Sequence, residues 1–418
     1  MDIGLIGRKL GHSLSPEIHK YLGSYEYTLR PMEPEELDRF FAERDFRGVN
    51  VTIPYKKDAA ERCDELSETA RRIGCVNTVI KRPDGSLWGD NTDYFGFSYM
   101  ADLAGIDFKN QKTLILGSGG ASLTARLVAA DKGASEVIVI SRTGENNYGN
   151  LDRHSDAGII VNCTPVGMYP ENGKRIVDLS AFPRLRGVLD MIYNPFRTPL
   201  ILDAQAGSIR CSDGLPMLVA QGAKSAEYFR VNENLKPDIP AICRAVRAEK
   251  LNIVLVGMPG CGKSTVASVL AKDLGREKLD TDDMVRARAG KPIPAIFAEE
   301  GEAAFRDLEA ACVYEAARGS GRVIATGGGA VLRRENREAL RGNSAVVFLE
   351  RPVNELSTGG RPLSKDAETL ERMYAERLPL YRETADITVR VGATPYITAA
   401  EIKERLKRYN EAAYNQRT

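Results

Sequence analysis

The sequence is poor in the residues that would carry several common chemistries. Its 418 residues include only three histidines and seven cysteines, and the cysteines are scattered, with no CxxC pair and no clustering with the histidines. That excludes a zinc-ligand pattern and a disulfide framework; the cysteines read as reduced thiols of a cytoplasmic protein. No apolar stretch approaches the roughly 20 residues of a membrane span. The opening residues, MDIGLIG, read directly as a strand, without the basic start or long apolar middle of a signal peptide. Net charge is also lacking, with 58 Lys and Arg against 57 Asp and Glu, a balance of +1. No general attraction to nucleic acid or to an anionic membrane follows, and the expected partners are small molecules. Internal repeats and low-complexity linkers are missing too, so the parts of this chain are not expected to be loosely tethered.

Length and pattern point to more than one core. A chain of this size predicts two or three domains. Strands alternate with helical segments throughout, which predicts an α/β fold with parallel sheets. A first block covers residues 1–98, a second covers 99–212, a mostly helical segment covers 213–249 with an interruption at VNENLKPDIP (231–240), and a last block covers 250–418.

The last block opens on GMPGCGKST (257–265), which fits the phosphate-cradling loop GxxxxGK[ST]. A buried parallel strand is predicted before it at 252–256, and a helix after it at 266–274. Backbone N–H groups of such a turn face phosphates, and the helix N-terminus adds partial positive charge. Gly260, Cys261, Gly262, Lys263, Ser264 and Thr265 are the candidate ATP contacts, with Lys263 reaching the β- and γ-phosphates and Ser264 holding Mg²⁺. Cys261 has two readings: a thiolate activated by the helix N-terminus and Lys263, or a small buried core residue.

The second block carries GSGGAS (117–122) between a predicted strand at 113–116 and a helix at 121–132. It departs from strict GxGxxG, but a second strand, EVIVI (136–140), ends about 24 residues on, where dinucleotide folds read the adenosine ribose. An NAD enzyme usually has an acid there. Here stand Ser141, Arg142 and Thr143. A guanidinium there pairs with a 2′-phosphate, which favours NADP.

These motifs fall into the order of two known families. Residues 1–248 resemble shikimate dehydrogenase through GLIG…HSLSPEIH, NVTIPYK, GCVNT, GDNTDYFGF, GSGGA, SRT, NCTPVGM, LDMIYNP and GLPMLVAQ. Residues 251–390 resemble shikimate kinase through the phosphate loop, DTD (280–282), GEAAFR, TGGG, GRPL and RLPLYR. The resemblance implies a two-domain dehydrogenase, with an α/β substrate domain (1–98, completed by helices from 213–249) and a Rossmann-like NADP domain (99–212), followed by a P-loop kinase. It implies reduction of 3-dehydroshikimate with NADPH, then phosphorylation of shikimate at its 3-hydroxyl with ATP and Mg²⁺.

The same resemblance assigns roles. Ser13, Ser15 and Thr52 bind the substrate carboxylate; Asn77, Asp93, Tyr193 and Gln221 bind hydroxyls; Lys56, beside Asp93, gives the proton. NADP sits on Gly117, Ser118, Gly119, Gly120 and Ala121, with Arg142 on the 2′-phosphate and Met191 and Gly214 on the nicotinamide side. In the kinase, Lys263 and Arg361 stabilise the transferring phosphoryl, Arg361 on a mobile lid. Asp280 acts on Mg²⁺, Asp282 is the base, Arg306 and Arg377 clamp the carboxylate, and Gly327, Gly328 and Gly329 let backbone approach the ring. Two departures stand out: only 18 residues separate Thr143 from Asn162, where the family often has a further helix and strand, and Arg286 replaces an acid and lies outside the expected chemistry. Two rivals stay open: a non-catalytic sensor built from the same modules, and a quinate-preferring NAD dehydrogenase.

Overall fold

The computed structural model describes residues 2–11, 13–230, 236–356 and 367–414. Arg361 and its GRPL motif lie outside the described residues, as do positions 231–235. The chain divides into two compact units: Met1–Val166, Arg175–Tyr193 and Asp203–Val246 form the first, and Gly167–Lys174, Asn194–Leu202 and Arg247–Thr418 the second.

The first unit holds two sheets. One has strands β1 (Ile3–Gly7), β2 (Thr28–Pro31), β3 (Gly48–Val51), β4 (Glu65–Leu66), β5 (Thr78–Lys81) and β6 (Leu87–Asp90), in the order β2-β1-β3-β5-β6-β4. This sheet is mixed, parallel except at one strand. β5 runs antiparallel to both β3 and β6. The cause is local: residues 82–86 (RPDGS) form a tight turn in which the Asp84 carboxylate accepts from the Ser86 N–H at 2.9 Å. A five-residue link can join antiparallel strands only, because a parallel pair needs a crossover. The other sheet has β7 (Lys112–Leu116), β8 (Glu136–Ile140), β9 (Ile159–Asn162), β10 (Gly187–Asp190) and β11 (Arg210–Ser212), all parallel, in the order β11-β10-β9-β7-β8. It ends at β8, so the strand that would extend a full dinucleotide half is missing. A short 3₁₀ segment, Tyr148–His154, occupies the stretch between β8 and β9.

Strand burial follows from this layering. β1 and β3 are buried along their whole length, and β9 and β10 as well, which is why they are mostly apolar and do not alternate.

The second unit has one all-parallel sheet of β12 (Asn252–Val256), β13 (Lys278–Asp280), β14 (Val323–Ala325), β15 (Ser344–Glu350) and β16 (Ile387–Arg390), in the order β13-β14-β12-β15-β16. The central strand β12 is the one that feeds the phosphate loop. This unit is completed by Asn194–Leu202, whose Arg197 is buried. Arg197 forms two parallel bonds to Asp386, Nη1 to Oδ1 at 2.6 Å and Nη2 to Oδ2 at 3.0 Å. Its Nε donates to the Arg341 carbonyl at 2.7 Å, and Nη2 also reaches the Ser344 carbonyl. Asp386 in turn accepts from the Val346 N–H at 2.9 Å. The pair ties the ends of β15 and β16 to a segment distant in sequence.

Removing one member of a buried pair leaves the other charge desolvated and unpaired. Asp386→Ala should therefore destabilise the second unit by about 3–5 kcal/mol. The combined Arg197→Met, Asp386→Leu change should cost much less. Denaturant unfolding of the three chains checks both statements, and equal losses would show that the pair is not the lock.

Candidate active sites

In the first unit, a cavity of about 260 Å³ opens where β1 and β3 end and the antiparallel β5 begins. Every residue expected on the dehydrogenase substrate lines it: Ser13, Ser15, Thr52, Lys56, Asn77, Asp93, Tyr193 and Gln221. Lys56 begins the helix Lys56–Glu61, and Asp93 begins the helix Asp93–Leu103. Lys56 Nζ donates to Asp93 Oδ2 at 2.5 Å. The carboxylate's other oxygen accepts from Asn77 Nδ2 at 2.9 Å. The Asn77 amide cannot turn over, because its Oδ1 accepts from the Thr92 N–H at 2.7 Å. A fixed amide thus holds a carboxylate that holds an ammonium, and the ammonium faces the cavity. Burial pushes the Tyr193 phenol up from its ordinary value, so it stays a neutral donor. The sequence reading missed Lys9 and Asn50, which also line the cavity. Asn50 was legible in principle as the one polar residue inside the buried run GVNV; nothing in the sequence singled out Lys9.

The candidate dinucleotide loop lies at the carboxyl ends of β7 and β8 in the same unit. β7 and β8 are parallel and in register from Lys112 and Glu136 to Leu116 and Ile140, so residues 117–121 and 141–143 leave the sheet at the same edge. Ser118, Gly119 and Gly120 are exposed, and a Cβ on Gly119 or Gly120 would meet nothing within 4 Å. The helix Gly120–Asp131 begins there, with its unpaired N–H groups at that edge. Ala121 follows in its first turn. Arg142 and Thr143 are exposed, and Ser141 closes the turn by accepting from the Gly144 N–H at 2.8 Å. This surface fits a dinucleotide: open space over glycines for a pyrophosphate, and a guanidinium beside it for a 2′-phosphate. Gly214 and Met191 touch. A Cβ on Gly214 would stand 2.2 Å from the Met191 carbonyl, so only glycine allows this approach.

In the second unit, a cavity of about 610 Å³ gathers Gly260, Gly262, Lys263, Ser264 and Thr265 with Asp280, Asp282, Arg306, Gly327, Gly328, Gly329 and Arg377. Lys263 Nζ donates to the carbonyls of Gly257 and Met258 at 2.8 and 3.0 Å, which occupy it in place of phosphate oxygens. Ser264 Oγ donates to Asp280 Oδ2 at 2.6 Å. Asp280 caps the helix Thr281–Ala289 by accepting from the Asp282 N–H. Among the described residues no cluster of three or more His, Cys, Asp or Glu could hold a metal. The Ser264 and Asp280 oxygens fit a cation that takes its remaining ligands from phosphate and water.

The TGGG run is tight by necessity. A Cβ at Gly327 would stand 2.7 Å from Asp282 Oδ1, one at Gly328 2.5 Å from Pro259, and one at Gly329 2.2 Å from Arg306 Nη1. Burial, and next the charge of Asp280, pushes the Asp282 carboxyl above its ordinary value, while Lys263 and Arg286 oppose the rise. Arg306 is held by Glu309 at 2.7 Å and by Glu302 at 3.1 Å. Glu309 is buried and its pKa is raised, chiefly by burial, although Arg306 and Arg377 face it. It is the main residue that the sequence reading missed here; the i,i+3 spacing from Arg306 on one helix was its signal. Phe297 and Phe305 line the same cavity, with ring centroids 4.6 Å apart.

The structure adds to two of the readings. Arg286 lines this cavity, pairs with Asp283 and opposes the rise of the Asp282 pKa. Helical spacing explains it, since Asp282 and Arg286 are i and i+4 on one helix. Cys261 takes the second of its two readings. Its side chain is fully buried in the core beneath the loop, among residues such as Met258 and Val266, and so it is not presented to solvent reagents.

The two sites together define a class: a dinucleotide-linked dehydrogenase and a P-loop kinase on one chain. Comparison with known proteins makes it particular. Residues 5–79 match the shikimate dehydrogenase substrate binding domain, and residues 259–407 match shikimate kinase. The chain is 34% identical over 247 residues to shikimate dehydrogenase (NADP(+)) of Clostridium perfringens, covering 54% of this chain and 91% of that one. It is similar to the crystal structure of a chorismate mutase/shikimate 5-dehydrogenase fusion protein from Clostridium acetobutylicum (35% identity, TM-score 0.54, 59% of this chain and 97% of that one). It is also similar to shikimate 5-dehydrogenase from Thermus thermophilus in complex with NADP(H) and shikimate (31% identity, TM-score 0.53, 59% and 98%). The chain belongs to the shikimate dehydrogenase family, and its C-terminal part carries a shikimate kinase domain.

The raised Asp282 pKa has a consequence for stability. An acid whose folded pKa lies above its unfolded value stabilises the fold fully only below the unfolded pKa, and that stability is lost as pH rises through the folded pKa. At neutral pH the ionised Asp282 is therefore a strain on the fold. Asp282→Asn should raise the melting temperature of the second unit at pH 7, with the gain vanishing below about pH 4. It should also lower kinase kcat by about 10²–10⁴. Calorimetry at the two pH values, beside a kinase assay, checks the sign.

Proposed function

We propose that this chain carries out two consecutive reactions: NADPH-dependent reduction of 3-dehydroshikimate to shikimate, and ATP-dependent phosphorylation of shikimate to shikimate 3-phosphate. The observation that carries this reading is that each cavity keeps its proton-transfer group in place, Lys56 on Asp93 in one and Asp282 in the other. A binding-only sensor would need neither. In this reading, residues 1–98 with the helices of 213–249 bind the keto acid, residues 99–212 bind NADP, and residues 250–418 form the kinase. The free cysteines fit a reducing, cytoplasmic compartment. No helix among the described residues is long and apolar enough to cross a membrane.

Residues 117–121 and Arg142 would hold NADPH, with Met191 and Gly214 on the nicotinamide side, and the cofactor would supply the hydride. Lys56 holds the proton that the substrate carbonyl oxygen takes up, and Asp93 keeps the ammonium aimed. Ser13, Ser15 and Thr52 hold the carboxylate, while Asn77, Tyr193 and Gln221 orient the ring by its hydroxyls. Phosphoryl transfer asks mainly for alignment and charge neutralisation. Lys263 and Arg361 would neutralise the γ-phosphate, and Ser264 and Asp280 would hold Mg²⁺. Arg306 and Arg377 hold the shikimate carboxylate, and Asp282 takes the proton of its 3-hydroxyl. A carboxyl with a raised pKa is the stronger base for that step.

The direct test incubates the purified chain with 3-dehydroshikimate, NADPH and ATP-Mg²⁺ and resolves shikimate from its 3-phosphate. Absence of both products would refute the reading. Lys56→Ala should lower the reduction rate by about a hundredfold or more and leave the kinase intact. Arg142→Ala should weaken NADPH by about 1.5–3 kcal/mol and NADH hardly at all, because only NADPH offers the 2′-phosphate. Titration of both cofactors decides whether Arg142 selects NADP.

A further inference from the structure

We propose that Tyr27 is a positioning residue of the dehydrogenase cavity, linking Ser15 to Asn50 through one directed chain of hydrogen bonds. The proposal rests on the reading of that cavity as the keto-acid site. Ser15 and Asn50 both line the cavity, on different elements. The Tyr27 hydroxyl joins them. It donates to Asn50 Oδ1 at 2.7 Å and is bonded by the Ser15 side chain. Ser13 Oγ lies 3.1 Å from Ser15 Oγ.

Each hydroxyl has one proton, and that fixes the direction of the chain. Asn50 Oδ1 can only accept, so the Tyr27 proton points at it. Ser15 must then donate to Tyr27, and Ser13 to Ser15. The far end is fixed as well. Asn50 Nδ2 donates to Ser225 Oγ at 2.8 Å, Thr78 Oγ1 at 3.0 Å and the Asn77 carbonyl at 3.2 Å. The Asn50 amide is therefore held in one orientation from both sides. The Ser13 proton, at the open end of the chain, can turn to a ligand at the loss of the Ser13–Ser15 link alone, leaving the bonds from Ser15 through Tyr27 to Asn50 intact. The Ser15 oxygen is held by its bond to Tyr27, so the Ser13 hydroxyl beside it meets a carboxylate from a fixed position.

The ring of Tyr27 is itself fixed. It stacks on His19, with centroids 3.7 Å apart and planes inclined at 14°. His19 lies on the helix Ser15–Leu22, one turn after Ser15. It is buried, and burial lowers its pKa to about 3, so the stack is between neutral rings. The helix that presents Ser15 thus also carries the platform that seats Tyr27. Without the Tyr27 hydroxyl, Ser15 loses its acceptor and Asn50 loses the donor that holds its oxygen.

Tyr27→Phe in the full chain keeps the stack and removes the chain's middle link. Two groups left without partners in a polar site weaken carboxylate binding by about tenfold. The expected result is a KM for shikimate, oxidised with NADP⁺, raised about tenfold, with the KM for NADP⁺ and the kinase activity of the same molecule unchanged. Shikimate methyl ester, which lacks the anion, should show less than a third of that penalty. Tyr27→Phe added to Ser15→Ala should cost little beyond Ser15→Ala alone. An unchanged KM for shikimate, an equal penalty on the ester, or full additivity with Ser15→Ala overturns the proposal. If the unaltered chain does not oxidise shikimate at all, the reading of the cavity fails and the proposal falls with it, an outcome that no variant can mimic.

Discussion

A parallel strand cannot be followed by another parallel strand without a crossover, and in this chain the crossovers that matter are helices whose first turn starts at the strand's carboxyl edge. That edge offers free backbone N–H groups and the positive end of a helix. Both nucleotide loops occur there, after β7 and after β12. Acids and bases occur at the same kind of place: Lys56 follows β3 at the start of a helix, Asp93 follows β6 at the start of another, and Asp280 ends β13 and caps the next. The sites are thus consequences of connectivity. The sheets supply rigid edges, and the loops between strand and helix supply the chemistry.

Burial sets the state of the groups brought to those edges. In the kinase cavity, burial raises the pKa values of Asp282 and Glu309, and the neighbouring cations only partly offset it. Arg306 lies so close to Gly329 that a Cβ there would meet its guanidinium at 2.2 Å and displace it. In the dehydrogenase cavity the corresponding constraint is hydrogen bonding. The Asn77 and Asn50 amides each have their oxygen claimed by a donor from the protein, which leaves their N–H groups pointing in fixed directions. One site is tuned by burial and charge, and the other by the direction of amide donors around an ion pair.

Much of the site was legible in the sequence. The phosphate loop, Lys263, Asp282, Arg306 and Arg377 were named from motifs, and so were Lys56, Asp93, Asn77 and Gln221. Local rules suffice for the phosphate loop and Lys263, because the turn that cradles a phosphate is written in adjacent residues; the others were implied by the family resemblance. The residues that escaped were of another kind. Glu309 and Arg286 act through helical spacing that is unremarkable on a surface helix. Tyr27 and Asn50 meet across 23 residues and two elements. The antiparallel β5 also escaped, because alternating strands and helices suggested one uniform rule, whereas a tight turn at residues 82–86 imposed another.

The sequence by itself determined the three strand-and-helix blocks, the two nucleotide loops and the chemistry expected of each, because these depend on glycines, caps and apolar runs that act within a few residues. Only the tertiary structure decided the rest: that Arg197 is buried on Asp386, that Cys261 lies under its loop and not on it, that Arg286 faces Asp282, and that the hydroxyls from Ser13 to Asn50 run in one direction. Each of these depends on which side chains the fold brings together. Burial and proton direction are properties of a packed neighbourhood, and residues distant in the chain make up that neighbourhood.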